Sequence, residues 1–426
     1  MNESVLEKNQ YDGQFIICDH CDLVVEVPRI TNQYKASCPR CNSRLVRYRK
    51  KTNKQALVFA ICALFMFIFS CLFYFIDIRI LGNVTSIDIF MIPDTLLLDN
   101  YSSLSLVFIS FVIFFPILCL LILIILCSGI SLPKRITILL LVSLTRLQNW
   151  CMAEIFLAGT LVSFVKLASY GDIGLQHSFI PYCLFIIMQT QALSLFSPRQ
   201  IWQTVAPTIQ AETPFSSGKT GLSQNLRLCK CCHAILPMNK QICTRCYTKG
   251  YVREQQSLQW TMALVLTSLI LYLPANGYPI MTTIFMGDIS NSTIIDGVLY
   301  MWQDQDYPVA LVIFFASVVI PISKIIALCW LGYFAKYAKQ QDIKSCLKMN
   351  RLYKIVEFIG RWSMIDIFVV SIISTLVRNG ELISVYPDIG AIFFATVVVM
   401  TMYASHKYDP RLIWDRLTHE EKGKGV

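Results

Sequence analysis

The sequence predicts an all-α polytopic membrane protein with eight transmembrane helices, arranged as two parallel four-helix repeats that each follow a small cytoplasmic zinc-ribbon module. Of the 426 residues, 55% are hydrophobic and only 15% are charged, and the mean hydropathy is +0.54, a combination that excludes an ordinary soluble chain. Apolar segments of about 20 residues recur along the chain. Several short motifs of the first half also return in the second half.

Eight apolar segments are long enough to cross a hydrocarbon core of about 30 Å as helices. They are residues 56–76, 104–132, 136–165, 179–197, 258–276, 308–335, 362–383 and 386–405. The third segment is the least regular, because Arg146, Asn149 and Glu154 interrupt it. It could begin as an interfacial helix that enters the bilayer only near Trp150. An even number of spans places both termini on the same side of the membrane.

Lysine and arginine residues cluster beside the apolar segments on one side of the predicted topology. They are dense at 44–54, 199–253 and 336–361, whereas the loops at 88–99 and 288–306 are acidic. Because basic residues in short loops stay in the cytoplasm, we expect both termini and the central segment to be cytoplasmic. A nucleic-acid-binding surface is the alternative explanation for the net charge of +10, but the charges follow the membrane topology, so no nucleic-acid partner is expected.

The chain contains an internal repeat. Trp150–Phe156 returns as Trp362–Phe368, and Pro198–Trp202 returns as Pro410–Trp414 at the same offset. Coincidence does not easily produce several matches in register. Because the repeated unit holds an even number of spans, both copies have the same orientation and form a parallel repeat.

Further residues fit the duplication. Pro116 in the second span matches Pro321 in the sixth, with a slightly different offset that an indel in a loop explains. Trp202 and Trp414 each follow an arginine at the end of a span and are expected to be interfacial anchors. The chain therefore divides into a ribbon module at 1–55, a first transmembrane repeat at 56–200, a linker at 201–222, a second ribbon module at 223–256, a second transmembrane repeat at 257–408 and a cytoplasmic tail at 409–426.

Eight of the 17 cysteines form Cys-x-x-Cys knuckles in the two polar modules. Two knuckles supply four thiolates, the ligand set of a closed tetrahedral zinc site. We therefore predict two structural Zn²⁺ sites, whose metal provides much of the folding free energy of such small modules. An iron centre and a redox dithiol pair are the alternatives. The predicted ligands are Cys18, Cys21, Cys38 and Cys41 in the first module and Cys229, Cys232, Cys243 and Cys246 in the second.

Ionisable residues inside apolar segments are functional candidates, because a charge at membrane depth is costly unless it is paired or hydrated. Lys324 and Asp366 are both expected in the cytoplasmic half of the bilayer, where they could pair. The first repeat has Glu154 in the place of Asp366, but an apolar run around Cys119 in the place of Lys324. Further polar-path candidates are Ser323, Ser363, Ser371, Ser374 and Thr401, with Glu357 at the cytoplasmic mouth of the path.

Three roles are open for the Lys324 and Asp366 pair. It could be a structural salt bridge that fixes two helices. It could be a proton-coupled or conformational element, because a buried lysine and carboxylate can exchange a proton when their hydration changes. Alternatively, both side chains could snorkel to the interface.

The chain resembles the paraquat-inducible protein A family in its doubled unit of a Cys-x-x-Cys ribbon and four spans, its Leu273–Asn276 and Pro279–Met281 segments, and its Pro-Arg-x-Ile-Trp endings. The similarity covers nearly the whole chain. The first repeat departs from the pattern, with Ile76–Arg79 where the second has its Pro-Ala-Asn segment. The resemblance implies a bacterial inner-membrane protein that works with an MCE-domain partner. Such a partner forms a periplasmic tunnel toward the outer membrane, and the pair moves membrane phospholipid and maintains envelope integrity.

Three functional hypotheses follow. The first is a subunit that loads lipid onto the MCE-domain partner or removes it, with proton coupling through Lys324 and Asp366. The second is a scaffold that anchors and orients the partner without transport. The third is a metal or redox sensor that uses the thiolates directly. The sequence lacks a Gly-x-x-x-x-Gly-Lys-Ser/Thr loop, so a P-loop ATPase is not expected. It also shows no Ser-His-Asp arrangement or open metal site, so we expect no enzymatic activity.

Overall fold

A computed structural model describes the chain as a bundle of helices with cysteine-rich modules at one end and small β-sheets at the other. The described residues are 14–27, 35–47, 52–80, 83–130, 132–167, 172–206, 216–254, 256–285, 287–305, 307–337, 342–377 and 383–415. The helices are α1 Thr52–Ser70, α2 Met91–Leu98, α3 Ser102–Phe108, α4 Phe115–Cys127, α5 Lys134–Leu147, α6 Ala153–Leu167, α7 Phe179–Leu195, α8 Pro198–Val205, α9 Ser257–Gly277, α10 Ile294–Gln303, α11 Tyr307–Phe314, α12 Ile320–Tyr337, α13 Ile343–Trp362, α14 Ile365–Leu376 and α15 Ile389–Lys407.

The fold is mostly helical but not all-α, because short antiparallel strands form five small sheets within the described residues. The strands are β1 Gln14–Ile17, β2 Val24–Val27, β3 Lys35–Ser37, β4 Arg44–Arg47, β5 Ile76–Ile80, β6 Asn83–Ile87, β7 Asp172–Leu175, β8 Leu226–Leu228, β9 Ile235–Pro237, β10 Met281–Phe285, β11 Asp288–Ser292 and β12 Ile383–Pro387. Three of the sheets are two-stranded hairpins in the cysteine-rich modules. The other two are three-stranded, with the orders β6-β5-β7 and β11-β10-β12.

Six of the described helices are long and apolar enough to cross a membrane, and a seventh span results when the bent pair α7 and α8 counts as one. The six are Thr52–Ser70, Ser102–Cys127, Lys134–Phe164, Ser257–Gly277, Ala310–Tyr337 and Ile389–Lys407. The chain therefore has the helices of a multi-pass membrane protein, but its described residues do not confirm the predicted count of eight spans. The segment that differs is 362–383.

That segment contains the end of one helix, a break and a short second helix. α13 ends at Trp362, and α14 begins at Ile365 with 12 residues, a length of about 18 Å that does not cross the bilayer. All residues of α14 are buried within the protein. The apolar run that predicted a span therefore reflects burial against other helices rather than exposure to lipid.

The irregular third segment of the first half is broken at the matching place. α5 ends at Leu147, a 3₁₀ turn covers Gln148–Trp150, and α6 begins at Ala153. The backbone N–H of Met152 donates to the carbonyl of Phe111 at 3.2 Å. A neighbouring span thus satisfies a backbone group that the break releases, as a protein at membrane depth requires.

A π-helical turn precedes the proline in a long span of each half. The turns are Ile109–Phe114 before Pro116 and Phe315–Val319 before Pro321. Proline lacks a backbone N–H, and its ring collides with the carbonyl four residues earlier in a regular helix. The wider turn relieves that collision and lets both spans continue past the proline.

The two halves follow the same order of elements: a span, a β-hairpin, a short helix, a span with a π-turn, a broken helix, a single strand and a last span. α14 contacts both β6 and β12, so both three-stranded sheets lie on one side, called the sheet side. The opposite side is the ribbon side. At the centre α6 packs on α14, where a Cβ on Gly159 would lie 3.2 Å from the Cβ of Phe368. Glycine at position 159 allows this close approach of the two halves.

Candidate metal centres and membrane cavities

The first ribbon module brings its four predicted ligands together with two hairpins, β1-β2 and β3-β4. Each hairpin carries one knuckle at its turn, and Asp22 adopts a left-handed conformation with φ +61° directly after the first knuckle. The Sγ atoms of Cys18 and Cys41 are 3.5 Å apart, as are those of Cys21 and Cys38. The predicted cysteines therefore form one compact cluster.

The second ribbon module forms an equivalent cluster around β8 and β9. The Sγ atoms of Cys229 and Cys246 are 3.5 Å apart, and those of Cys232 and Cys243 are 3.6 Å apart. In each cluster all four sulfurs are buried and lie within 4.8 Å of one another. Tetrahedral Zn²⁺ with Zn–S bonds of about 2.3 Å places its thiolates about 3.8 Å apart. Both clusters have the donor set and dimensions to hold such an ion.

Each ribbon docks on the opposite membrane half. The guanidinium of Arg40, in the first ribbon, lies 4.8 Å from the ring centroid of Trp414. The guanidinium of Arg245, in the second ribbon, lies 5.6 Å from the ring of Trp202 and donates to the carbonyl of Ala206 at 2.7 Å. Both tryptophans are buried, so they hold the ribbons and do not act as the interfacial anchors that the sequence suggested.

Ion pairs reinforce the docking near the end of the chain. Nη2 of Arg253 lies 3.0 Å from a carboxylate oxygen of Asp22 and 2.6 Å from one of Asp415, which joins the first ribbon to the second half. Arg411 pairs with Asp409 at 2.7 Å, and both side chains are buried. Burial alone would raise the pKa of Asp409, but the hydrogen bonds and positive charge of Arg411 hold it well below its usual range.

Lys324 is buried in α12 against the end of α13. Its Nζ donates to the carbonyl oxygen of Gly360 at 3.4 Å, and a Cβ on Gly360 would lie 3.3 Å from that nitrogen. The last carbonyls of a helix have no partner within it and carry partial negative charge. The end of α13 therefore supplies a favourable environment for the ammonium group, with room provided by a glycine.

Asp366 lies beyond the same break, as the second residue of α14. The free N–H groups and positive dipole end of a helix favour a carboxylate in the first turn. The ammonium group of Lys324 donates to the carbonyl of Gly360 rather than to Asp366. The broken helix thus provides separate supports for the cation and the anion, one at each side of the break.

The remaining polar candidates are dispersed around the break. Ser363 lies in the break itself, and its buried Oγ has no hydrogen-bond partner among the described residues. Glu357 is exposed on α13. The other hydroxyls donate to carbonyls of their own helices, namely Ser323 to Ile320, Ser371 to Ile367, Ser374 to Ser371 and Thr401 to Val398. Their participation in a polar path stays a prediction.

A cavity of about 620 Å³ opens beside Asp366 on the sheet side of the second half. Its walls combine apolar side chains of α11, α14 and the sheet with hydroxyl and amide groups of β11, and Ser317 from the π-turn also faces it. Such a mixture can accommodate a molecule with both apolar and polar parts. The lining includes Thr283, Ser290, Asn291, Ile313, Val370 and Ile373.

A smaller cavity of about 260 Å³ lies on the ribbon side of the first half. It contains Glu154, the second residue of α6, whose Oε1 is 3.3 Å from Nη1 of Arg361 at the end of α13. This ion pair joins the two halves. The sequence did not lead us to predict Arg361 as a site residue. A signal was available, because the matching position of the first half is a neutral amide, Asn149, whereas Arg361 is charged.

Comparison with known proteins agrees with this architecture. A family model described as paraquat-inducible protein A matches the chain twice, over residues 54–206 and 258–418. The chain is 44% identical over 414 residues to the intermembrane transport protein PqiA of Escherichia coli K12, covering 97% of this chain and 99% of that one.

More distant relatives align over nearly the full length as well. The chain is 29% identical over 409 residues to lipophilic envelope-spanning tunnel protein A of Escherichia coli K12, covering 95% and 92% of the two chains. It is 27% identical over 407 residues to a probable intermembrane transport protein of Haemophilus influenzae, covering 93% and 95%. No solved structure gives a significant match. From the two matches of the family model and the full-length relatives, the chain belongs to the paraquat-inducible protein A family.

Proposed function

We propose that the protein is the inner-membrane subunit of an intermembrane lipid transport system, where it loads lipid onto a periplasmic MCE-domain partner or removes lipid from it. The observation that carries this proposal is the sheet-side cavity of the second half, because its apolar walls, polar lining and deep carboxylate at Asp366 suit an amphiphile. The names of the relatives, an intermembrane transport protein and a lipophilic envelope-spanning tunnel protein, support it.

The proposed topology places the ribbon side in the cytoplasm and the sheet side in the periplasm, with both termini cytoplasmic. The support is the concentration of lysine and arginine on the ribbon side. In this view the ribbons occupy 1–55 and 223–256, and the membrane repeats occupy 56–200 and 257–408. The double match of the family model and the common order of elements support a parallel duplication.

Each ribbon is proposed to hold one structural Zn²⁺ through its four thiolates. Zinc supplies folding free energy to a module of this size, and four protein ligands leave it no open position for a substrate. The ribbons therefore act as rigid clamps on the membrane helices. Their docking through Arg40 and Arg245 onto opposite halves holds the two halves in one unit.

Proton coupling is assigned to Lys324 and Asp366 at the two ends of the broken helix. A lipid in the sheet-side cavity displaces water from Asp366, and desolvation favours the protonated form of a carboxyl group. When the lipid leaves, water returns and the proton is released. Lys324, fixed at the end of α13 by Gly360, supplies a positive charge that favours the ionised form in the empty state.

Lipid transfer by charge-removing variants tests the proposal. Lys324→Met and Asp366→Asn keep the approximate volumes of the side chains and remove their charges. We expect each to lower lipid transfer between labelled donor vesicles and the MCE-domain partner about tenfold or more, with unchanged abundance and partner binding. The matched control is Cys119→Ser, at the position of the first half that corresponds to Lys324, which should transfer lipid normally.

The same measurement examines the scaffold hypothesis. A scaffold needs the fold and the partner contact but no charge in the cavity. Normal transfer by both charge-removing variants would therefore refute the proposed mechanism and favour a protein that only anchors its partner.

A further inference from the structure

The ribbon-side cavity of the first half has no role in the lipid cycle described above. It combines an exposed ion pair with amide and hydroxyl groups at one depth of the membrane. Its polar lining includes Glu154, Arg361, Asn149, Gln189, Thr190 and Ser194. Its volume of about 260 Å³ suits a small polar group rather than a whole lipid.

The ion pair in this cavity is readily opened. Arg361 and Glu154 meet through a single contact of 3.3 Å, and their side chains are 37% and 41% exposed. Exposed pairs of this kind contribute little to stability, so a ligand can separate them at small cost. A ligand that carries an anion and a cation on neighbouring atoms would replace one contact by two, with its anion on Arg361 and its cation on Glu154.

Gln189 gives independent evidence for a polar ligand. Its side chain lines the cavity, yet the residue is only 4% exposed. Among the described residues its amide makes no hydrogen bond. The amide is open to the cavity, and a polar group bound there would supply its missing partner. Thr401, the residue at the matching position of the second half, bonds instead to a carbonyl of its own helix.

An apolar stripe on α7 leads into the cavity. Ile180, Leu184 and Ile187 are exposed at helical spacing on one face, at 68%, 37% and 55%. Thr190 follows Ile187 by three residues and lines the cavity. The stripe faces the membrane, so a lipid whose polar group entered the cavity would have a hydrocarbon track for its acyl chains along α7.

We propose that this cavity binds the zwitterionic phosphate–amine headgroup of a phospholipid, with the phosphate on Arg361 and the ammonium on Glu154. The inference rests on the proposed function, since it places the pick-up or release of lipid at the cytoplasmic leaflet. An anionic headgroup without an amine satisfies Arg361 but meets the carboxylate of Glu154. The site therefore favours phosphatidylethanolamine over phosphatidylglycerol.

Lipid retention tests the preference. The full-length protein is reconstituted in nanodiscs with equal amounts of the two lipids, and retained lipids are counted by native mass spectrometry. We expect the wild type to retain phosphatidylethanolamine about tenfold over phosphatidylglycerol, the effect of one charge-assisted hydrogen bond. Glu154→Gln should reduce the ratio to near one, and Arg361→Gln should lower retention of both lipids. Equal retention by the wild type, or an unchanged ratio in Glu154→Gln, overturns the proposal.

A second variant keeps the test independent of the contact between the halves. Gln189→Leu leaves the ion pair in place and should lower retention of phosphatidylethanolamine severalfold, whereas unchanged retention contradicts the site. The matched control is Thr267→Ala, an exposed hydroxyl of the second half that bonds only to its own helix, which should retain lipid as the wild type does. If the preference holds but Lys324→Met and Asp366→Asn transfer lipid normally, the transport mechanism fails and the headgroup site stands. If those two variants lose transfer but the wild type shows no lipid preference, only the headgroup site is refuted.

Discussion

The two membrane halves build the same broken helix but place different side chains beside it. Three residues after the span proline, the second half has Lys324 and the first has Cys119. Lys324 extends to the carbonyl of Gly360, whereas the thiol of Cys119 ends 3.4 Å from that of Cys151. The described cavities differ accordingly, since that of the first half lies on the ribbon side and that of the second on the sheet side. One backbone plan can thus present sites to opposite sides of a membrane.

The halves also differ in where their carboxylates find support. Glu154 meets Arg361, which belongs to the other half, while Asp366 lines a cavity within its own half. Because each ribbon also docks on the opposite half, neither half is a complete unit by itself. Variants placed at matching positions of the two halves therefore measure how far each half depends on the other.

The largest effect is expected from the loss of one metal ligand in either ribbon. Cys18→Ser and Cys229→Ser should each reduce bound zinc from about two ions per chain to about one, and should unfold the altered ribbon, because structural zinc contributes on the order of 10 kcal/mol to such modules. Because each ribbon docks on the opposite half, amide hydrogen exchange should increase around Trp414 in Cys18→Ser and around Trp202 in Cys229→Ser. Mass spectrometry measures both the bound zinc and the amide hydrogen exchange. An increase in hydrogen exchange confined to the half that follows the altered ribbon in the sequence would contradict the docking of each ribbon on the opposite half.

A smaller loss of stability is expected when the buried ion pair of Asp409 and Arg411 in the second half is broken. Asp409→Asn leaves Arg411 buried without its counter-charge, which should destabilise the protein by about 3–5 kcal/mol. In the first half the corresponding residue is Ser197, and Ser197→Ala should cost less than about 1 kcal/mol. Thermal unfolding in detergent compares the two variants. Equal shifts would show that the ion pair does not distinguish the halves.

The same pair gives a pH dependence with a definite sign. Arg411 holds the pKa of Asp409 below its value in the unfolded chain, which is about 3.9. A carboxyl group of lowered pKa contributes stability that is complete above the unfolded value and is lost as the pH falls through the folded value. The melting temperature of the wild type should therefore fall below about pH 4, and that of Asp409→Asn should fall less. A parallel decline of both proteins would assign acid sensitivity to other groups.

The smallest effects concern the stacked arginines. Arg40→Met and Arg245→Met remove cation–π contacts worth about 0.5–2 kcal/mol. Arg245 also donates to Ala206, so its loss should loosen the second ribbon more than the loss of Arg40 loosens the first. The rate of zinc release to a chelator measures each ribbon. A faster release from the first ribbon than from the second would reverse this ranking.

Local patterns in the sequence predicted the two clusters of four cysteines well. Ligand spacing within each knuckle is encoded by adjacent residues, so Cys18 and Cys21 required no knowledge of the fold. The repeat likewise pointed to matching positions such as Glu154 and Asp366. These features depend on short-range or periodic information, which a single sequence carries.

The features that the sequence misjudged depend on long-range packing. The apolar run after Trp362 looked like a span, because hydropathy does not distinguish a helix buried in protein from one exposed to lipid. The crossed contacts of Arg40 and Arg245 join residues far apart in the chain and leave no local signal. The strand Ile76–Ile80 was detectable, since its apolar and polar residues alternate.

The cation–π contact between Arg40 and Trp414 joins residues that are synthesised at very different times. The first ribbon leaves the ribosome before the membrane helices, yet the surface on which it docks includes Trp414, which follows α15. At about 5–20 residues per second, the roughly 370 intervening residues take on the order of 20–70 seconds to synthesise. During that interval the first ribbon cannot make this contact, so it can dock on the second half only after the helices of that half have been synthesised.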